Sequence, residues 1–209
     1  MQRRTMQGKA RGSLFIVSAP SGAGKTTLCR KLTEVLPGIG YSISHTTRRP
    51  RAGEENGRDY IFVDEAEFRR MIGDKEFLEW ATVHGNLYGT SQRMLREMQG
   101  QGTDVILDID VQGARQLREA SPEGVSIFIL PPSLEVLRSR LEKRGSNSAE
   151  DMERRMRTAV EEIREYKKYD YVIVNDLFEK ALDELRAVVL AERVKTDKID
   201  PEWVKTFGS

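Results

Sequence analysis

The stretch VSAPSGAGKTTL, residues 17–28, constrains the fold of this chain more than any other segment. The run LFIVS at 14–18, which leads into it, is almost purely apolar, as expected of a strand that is buried on both faces of a sheet. From Lys25 onward apolar residues recur at helical spacing, until Pro37 and Gly38 end the pattern. The segment therefore predicts a buried strand, a loop of small residues and an amphipathic helix, in that order.

The loop fits the P-loop pattern of Gly, four residues and Gly-Lys-Ser/Thr, except that Ala19 replaces the first glycine. Alanine is a mild departure if that position does not need a positive φ. Backbone N–H groups and the helix N-terminus would bind phosphate oxygens, Lys25 would neutralise the β- and γ-phosphates, and the Thr26 hydroxyl would ligate Mg²⁺. A plain glycine-rich turn is the alternative, and the flanking strand and helix favour the phosphate site. The predicted ATP-binding residues are Ser21, Gly22, Ala23, Gly24, Lys25, Thr26 and Thr27.

The segment VILDID, 105–110, supplies an acidic element that can accompany a phosphate loop. Asp108 ends an apolar strand, where P-loop proteins place a carboxylate that helps to position Mg²⁺. Asp110 would point to the same face if the strand continued, and either residue could instead cap a helix around 111–120. We assign Asp108 to the metal, acting indirectly, and do not assign both carboxylates to it.

Strands alternate with helical patterns again in the second half of the chain. Strands are predicted at DVILDID (104–110), VSIFIL (125–130) and YVIV (171–174), and helices around 134–141, 152–163 and 178–189. This alternation predicts an α/β fold, with a parallel sheet covered by helices on both faces.

The middle of the chain has a different pattern, typical of a small mixed α/β insertion. YSISHTT (41–47), YIFV (60–63) and FLEWATVH (77–84) are predicted strands, RAGEENG and GNLYG are predicted turns, and a short helix is predicted at about 64–72. The predicted divisions are a disordered basic leader at 1–12, a core at 13–41 and 93–195, the insertion at 42–92 and a tail at 196–209.

Composition excludes several classes of function. The net charge of +1 gives no general attraction to nucleic acid, and no stretch reaches the ~18 apolar residues of a membrane span. The single cysteine, Cys29, suits a reducing compartment, so we expect a cytoplasmic protein. The two histidines and this cysteine lack partners at ligand spacing, which argues against a metal site of nitrogen or sulfur ligands. The sequence does not predict an oligomeric state.

The insertion contains residues suited to a phosphorylated acceptor. Arg48 and Arg51 flank a proline that stiffens the backbone, and Tyr60 follows an acidic turn. Arginine forks and a tyrosine hydroxyl suit a phosphate monoester, although composition alone favours a solvated basic turn. Glu79 lies in a strand before Tyr88 and Thr90, where a carboxylate could accept from the N1–H and N2–H of guanine. Adenine has no N1–H and would leave such a carboxylate underpaired.

Five segments in one order carry a resemblance to a known family: SAPSGAGKTTL, TTRRPRAGEENGRDY, EFLEWATVHGNLYGTS, ILDIDVQG and VIVND. Together they resemble guanylate kinases, over about Leu14 to Arg193. The resemblance implies a P-loop nucleoside monophosphate kinase-like parallel sheet flanked by helices, with an inserted GMP-binding subdomain and a helical lid at about 140–157. It implies transfer of phosphate from ATP to GMP with Mg²⁺, and it leaves the use of dGMP open.

The resemblance also implies roles for individual residues. Guanine would be surrounded by Ser44, Glu79, Thr90 and Asp110. The GMP phosphate would be held by Arg48, Arg51, Tyr60 and Tyr88, with Glu54 supporting the arginines. The catalytic cations would be Lys25, Arg140, Arg144 and Arg155, whereas Arg138, Arg154 and Arg157 are interpreted as a solvated face.

Two other functions remain open at this stage. A guanylate-kinase-like binding module would resemble this fold without turnover, and the intact Lys25-Thr26 argues against it. A P-loop kinase of another phosphorylated acceptor, such as a sugar, is the second alternative, and Glu79 argues for a base instead. Because a GMP phosphate is already anionic, the predicted in-line transfer needs no general base.

Overall fold

The computed structural model describes residues 11–83, 85–143, 149–199 and 201–207. The strands are β1 Leu14–Ser18, β2 Ile39–Ser42, β3 His45–Thr46, β4 Ile61–Phe62, β5 Phe77–Val83, β6 Asn86–Ser91, β7 Asp104–Asp108, β8 Val125–Leu130 and β9 Tyr171–Val174. The helices are α1 Lys25–Val35, α2 Glu65–Gly73, α3 Gln92–Gly100, α4 Val111–Ala120, α5 Leu134–Lys143, α6 Ala149–Arg164, α7 Phe178–Glu192 and α8 Pro201–Lys205. None of the helices in these ranges combines the length and apolar composition that a bilayer-crossing helix needs.

The core is a five-stranded sheet in the order β2-β7-β1-β8-β9, in which every neighbouring pair is parallel. Side chains of β1 alternate between its faces, so that Phe15 and Val17 pack with α1 and α7, whereas Leu14 and Ile16 pack with α3 and α4. Both faces are buried, which explains why β1 is apolar throughout. The sheet places the carboxyl ends of β1 and β7 side by side, where a ligand site is expected in such folds.

A second sheet of four strands, in the order β4-β3-β6-β5, is formed by residues of the predicted insertion. β5 and β6 form an antiparallel hairpin whose turn includes Gly85, at φ 78°. The α2 side chain Phe68 packs on Phe77 of β5, with ring centroids 4.5 Å apart. The Gln116 side chain of α4 accepts from the Trp80 backbone N–H (3.4 Å) and donates to its carbonyl (2.8 Å), so this sheet is tied to the core beside the carboxyl end of β7.

Most of the predicted strands and helices are confirmed, and the differences have physical reasons. The predicted strand YSISHTT is wrong as one element, because β2 ends at Ser42 in the core sheet and β3 begins at His45 in the second sheet. The predicted turn GNLYG is wrong beyond Gly85, since β6 starts at Asn86 and pairs with β5. Helix α3 was not predicted, although the Ser91 hydroxyl caps it at the Met94 N–H.

Candidate active site

The P-loop (residues 19–26) comprises the loop that follows β1 and the first two residues of α1, and its backbone conformation requires glycine at two positions. Gly22 and Gly24 have φ of 94° and 92°, a conformation that side chains rarely adopt. A Cβ at Gly24 would also lie 2.4 Å from Asn175 Nδ2, which donates to the Ala23 carbonyl at 2.7 Å. Among the described non-glycine residues only Lys75 has a positive φ, so the alanine at position 19 meets the condition set for it above.

Lys25 and Asp108 form a buried ion pair beneath this loop, with Nζ 2.7 Å from the carboxylate. The Asp108 carboxylate also accepts from the Tyr41 hydroxyl (3.0 Å) and from Thr26, while Lys25 donates to the Ile109 carbonyl. Burial lowers the pKa of Lys25, but the charge and hydrogen bond of Asp108 outweigh it and the pKa is raised. Burial likewise raises the pKa of Asp108, and Lys25 more than reverses this, so both groups stay charged.

A cleft of about 380 Å³ brings the P-loop and the predicted acceptor residues to one space. Its lining from the acceptor side (the acceptor pocket) includes the predicted residues Ser44, Arg48, Arg51, Tyr60, Glu79, Tyr88 and Asp110, together with Thr82, Val83 and Gln112. Four described residues of the predicted site do not line it: Thr27, Glu54, Thr90 and Arg140. A larger groove of about 630 Å³ runs between α5 and α6, but it contains no P-loop or acceptor-pocket residue.

Glu79 lies at the bottom of the acceptor pocket with only 4% of its surface exposed. Thr90, which pairs with it across β5 and β6, donates its hydroxyl to Glu79 Oε1 at 2.5 Å and is itself buried behind it. Burial raises the pKa of Glu79 to about 7, with Asp110 adding to the rise and Thr90 opposing it. Asp110 caps α4 by accepting from the Gln112 and Gly113 N–H groups, which decides between the two roles left open for it.

Arg48 is fixed at the opposite wall of the acceptor pocket by three groups. Its guanidinium donates to the Tyr88 hydroxyl (3.1 Å) and to Glu54 (2.9 Å), and it lies 5.2 Å from the Tyr60 ring centroid. Glu54 also accepts from the Arg51 N–H at 2.8 Å. The arginine fork is therefore held in position before any ligand is present, which suits the binding of a phosphate monoester.

The predicted lid arginines separate into different places. Arg155 lines the main cleft, and its Nε is buried with no hydrogen-bond partner. Arg140 donates to the carbonyls of Ala23 (3.3 Å) and Asn175 (3.0 Å) and lines a second cavity of about 350 Å³ behind the P-loop, which Thr27 also lines. Arg144 lies outside the described residues.

Sequence reasoning missed several residues that line the cleft or contact the residues that do. Glu162 of α6 lines it, and its carboxylate accepts a hydrogen bond from the Ser21 N–H; burial, and next Asp110, raise its pKa to about 7. Arg154, interpreted above as part of a solvated face, reaches the rim of the cleft while paired with Asp151. Tyr41 reaches Asp108 from β2. Both residues belong to a charged face of α6, and nothing in the local sequence distinguishes them from the other charged residues of that face. Only the packing of α6 over the P-loop brings Glu162 and Arg154 to the cleft.

Comparison with known sequences identifies the family of this chain. A sequence model of the family described as "Guanylate kinase" matches residues 11–192. The chain belongs to the guanylate kinase family. A guanylate kinase of Geobacter sulfurreducens is 56% identical over 191 residues, which are 91% of this chain and 94% of that protein. One of Dechloromonas aromatica is 54% identical over 180 residues, covering 86% and 89% of the two chains.

A solved structure extends the similarity to three dimensions. The crystal structure of guanylate kinase from Anaplasma phagocytophilum has a TM-score of 0.79 to this chain at 36% sequence identity, and 97% of each chain is covered. The fold class predicted from the sequence is therefore confirmed, as a P-loop kinase fold of the guanylate kinase family.

Proposed function

We propose that this family member transfers the γ-phosphoryl group of ATP to the phosphate of GMP, giving ADP and GDP. One observation carries the proposal: a single cleft joins the P-loop to a pocket that has an arginine fork at one wall and a buried carboxylate at its bottom. The fork suits a phosphate and the carboxylate suits a base with two adjacent donors, which together describe GMP.

The proposed roles follow the sequence prediction with changes in how two residues act. Arg48, Arg51, Tyr60 and Tyr88 bind the GMP phosphate, and Glu79, Ser44 and Asp110 face guanine. Thr90 holds Glu79 from behind, because its hydroxyl is already donated to that carboxylate. Glu54 orients Arg48 and does not touch the substrate.

The residues present fit a magnesium ion that arrives with ATP. The Thr26 side chain lines the cleft and reaches Asp108, whose carboxylate is held by Lys25 and Tyr41. The described residues contain no group of three or more His, Cys, Asp or Glu side chains arranged to hold a metal ion. Thr26 would therefore hold the ion together with phosphate oxygens, and Asp108 would act through Thr26. Bound there, the ion would neutralise developing charge on the phosphates.

The chain itself contributes positioning and positive charge to the transfer. The acceptor phosphate is anionic at neutral pH and needs no base. Lys25 and Arg155 lie at the cleft, and the unpaired buried Nε of Arg155 is a donor that a phosphate oxygen could satisfy. Arg140 approaches the P-loop from the other side, and Arg144 is assigned to the same set by family resemblance. These cations would stabilise the negative charge on the phosphoryl group during its transfer.

As part of the same proposal, we assign a separate function to each segment of the chain. The unit at about 42–92 binds the acceptor, the core binds ATP, and the segment at about 140–157 acts as a lid that excludes water on closing. The substrates are small soluble nucleotides, and we expect the reaction to take place in the cytoplasm.

A coupled assay of ADP release tests the proposed function. ATP and Mg²⁺ are supplied with GMP, AMP, CMP or UMP in turn, and GMP is expected to support turnover far above the others. The chain would be a kinase of another acceptor if GMP fails and a phosphorylated sugar succeeds. It would be a binding module if GMP binds in calorimetry but no ADP is released.

A further inference from the structure

Helix α4 has a glycine in its first turn whose presence the helix backbone does not explain. Gly113 does not have a positive φ, so any residue could adopt its backbone conformation. Glycine inside a helix is less favourable than alanine, so a glycine at such a position indicates a packing or functional reason.

The reason is visible in what surrounds Gly113. A Cβ at this position would lie 2.4 Å from Glu79 Oε2, 3.0 Å from Glu79 Cδ and 3.2 Å from Asp110 Oδ1. The first distance is far inside van der Waals contact. The Glu79 carboxylate therefore occupies the space that a side chain on α4 would take.

The carboxylate has little freedom to avoid an added methyl group. Its other oxygen accepts from Thr90 at 2.5 Å, and the residue is 4% exposed. Helix α4 cannot readily move away, because the Gln116 side chain bonds to both backbone groups of Trp80, the next residue along β5. A methyl group at position 113 would push the carboxylate toward the cleft or break its bond to Thr90.

We propose that Gly113 is a positioning residue for guanine selectivity, which acts by giving the Glu79 carboxylate the one place from which it meets the base. The inference rests on the proposed function, since it assumes that guanine is the base in the acceptor pocket. It assigns selectivity to the fit between α4 and β5, with Gly113 touching no substrate.

The test compares Gly113→Ala with two matched controls, Gly73→Ala and Gly100→Ala. Both control glycines end a helix, and a Cβ at either would meet no atom within 4 Å. For Gly113→Ala we expect the KM for GMP to rise by about 10- to 100-fold, since a displacement of about 1 Å has such effects, with the KM for ATP unchanged. The ratio of kcat/KM for GMP over IMP, which lacks the N2 amino group, should fall. Both controls should behave as the wild type.

A double variant decides whether Glu79 is the group displaced. Glu79→Asp shortens the side chain by one methylene and withdraws the carboxylate from α4. A methyl group at position 113 then has no carboxylate to displace. Gly113→Ala/Glu79→Asp should therefore be no worse than Glu79→Asp alone, a coupling that independent sites do not show. Should Gly113→Ala fail to fold, the double variant should fold.

Several outcomes would overturn the inference. One is a double variant whose loss of kcat/KM equals the product of the two single losses, or that does not fold. Another is a Gly113→Ala variant in which the KM values for ATP and GMP rise equally. The third is a rise in the KM for GMP that Gly73→Ala shares. A wild-type chain that does not turn over GMP would instead overturn the proposed function, so the two failures are distinguishable.

Discussion

The P-loop and the acceptor pocket face the same cleft but are built in opposite ways. The P-loop is one contiguous segment that lines the cleft mostly with backbone groups, and Lys25 and Thr26 contribute its functional side chains. The acceptor pocket presents side chains from the loops on both sides of β3, from β5 and β6, and from the start of α4. A backbone site depends on local conformation, whereas an assembled site depends on how separate elements pack.

Their buried carboxylates differ in the same sense. Asp108 lies against Lys25, and this cation holds its pKa below the ordinary value despite burial. Burial raises the pKa of Glu79 to about 7, because its hydroxyl partner Thr90 offsets the rise only in part and the nearby Asp110 adds to it. The phosphate side of the cleft is thus charged in advance, whereas the base side gains its full charge only near neutral pH. Each prediction below tests one part of this contrast.

The largest effect is expected for Lys25→Met. Loss of the cation should lower kcat/KM by about 10³-fold or more, with the protein still folded. The unpaired Asp108 should also lower the free energy of unfolding by about 3 kcal/mol. Lys25→Met/Asp108→Asn should regain stability in thermal unfolding without regaining activity. Near-normal turnover by Lys25→Met would contradict the mechanism.

Glu79→Gln should cause the next largest effect, confined to the acceptor. An amide can accept only one of the two guanine donors and places its own NH₂ against the other, so the KM for GMP should rise by about 100-fold. Steady-state kinetics should show an unchanged KM for ATP. Glu76→Gln, an exposed neighbour paired with Arg70, serves as the control and should have no effect. Equal losses in both variants would argue against a base contact.

The pH dependence of GMP binding should be smaller but diagnostic. Below pH 7 the raised pKa keeps Glu79 protonated in the free protein, and guanine requires the ionised form. The KM for GMP should therefore fall by up to about tenfold from pH 6 to pH 8. The GMP phosphate titrates nearby, and so does Glu162, so the comparison is with Glu79→Gln, which should keep those titrations and lose only the part due to Glu79. Identical pH profiles in the two proteins would rule out Glu79 as the group.

The smallest effect is expected for Arg30→Ala, which removes an ion pair between α1, the helix that follows the P-loop, and the segment that carries the acceptor pocket. Arg30 of α1 pairs with Asp59 of the acceptor unit at 2.9 Å and lies 5.1 Å from the Tyr41 ring centroid. The arginine is one-third exposed, so we expect less than about 1 kcal/mol in stability and a two- to threefold rise in the KM for GMP. Lys31→Ala, which removes an exposed pair within α1, is the control in both measurements. A larger effect on ATP than on GMP would mean that the link serves the core alone.

Sequence patterns were most reliable for the fold where the elements are long or buried. The strands β1, β8 and β9 have the bounds that their apolar runs predict. β1 and β8 are almost wholly apolar because both of their faces are buried, whereas β9 lies at the edge of the sheet and keeps an apolar run although Val172 and Val174 are exposed. The predictions were weakest in the acceptor unit, where β3 and β4 have two residues each. Such strands are too short for a periodic pattern, and pairing with a neighbour determines where they begin and end.

The sequence by itself determined the P-loop, most of the strands and helices in their order, and the family, because these depend on contiguous residues whose local conformation follows from their types. Only the tertiary structure decided that Thr90 serves Glu79, that Asp110 caps α4, that Glu162 reaches Ser21 and that Gly113 leaves space for a carboxylate. Apart from the Asp110 cap, these relations join residues that lie in different helices, strands or loops. They are set by packing distances of a few tenths of an ångström, which no local pattern encodes.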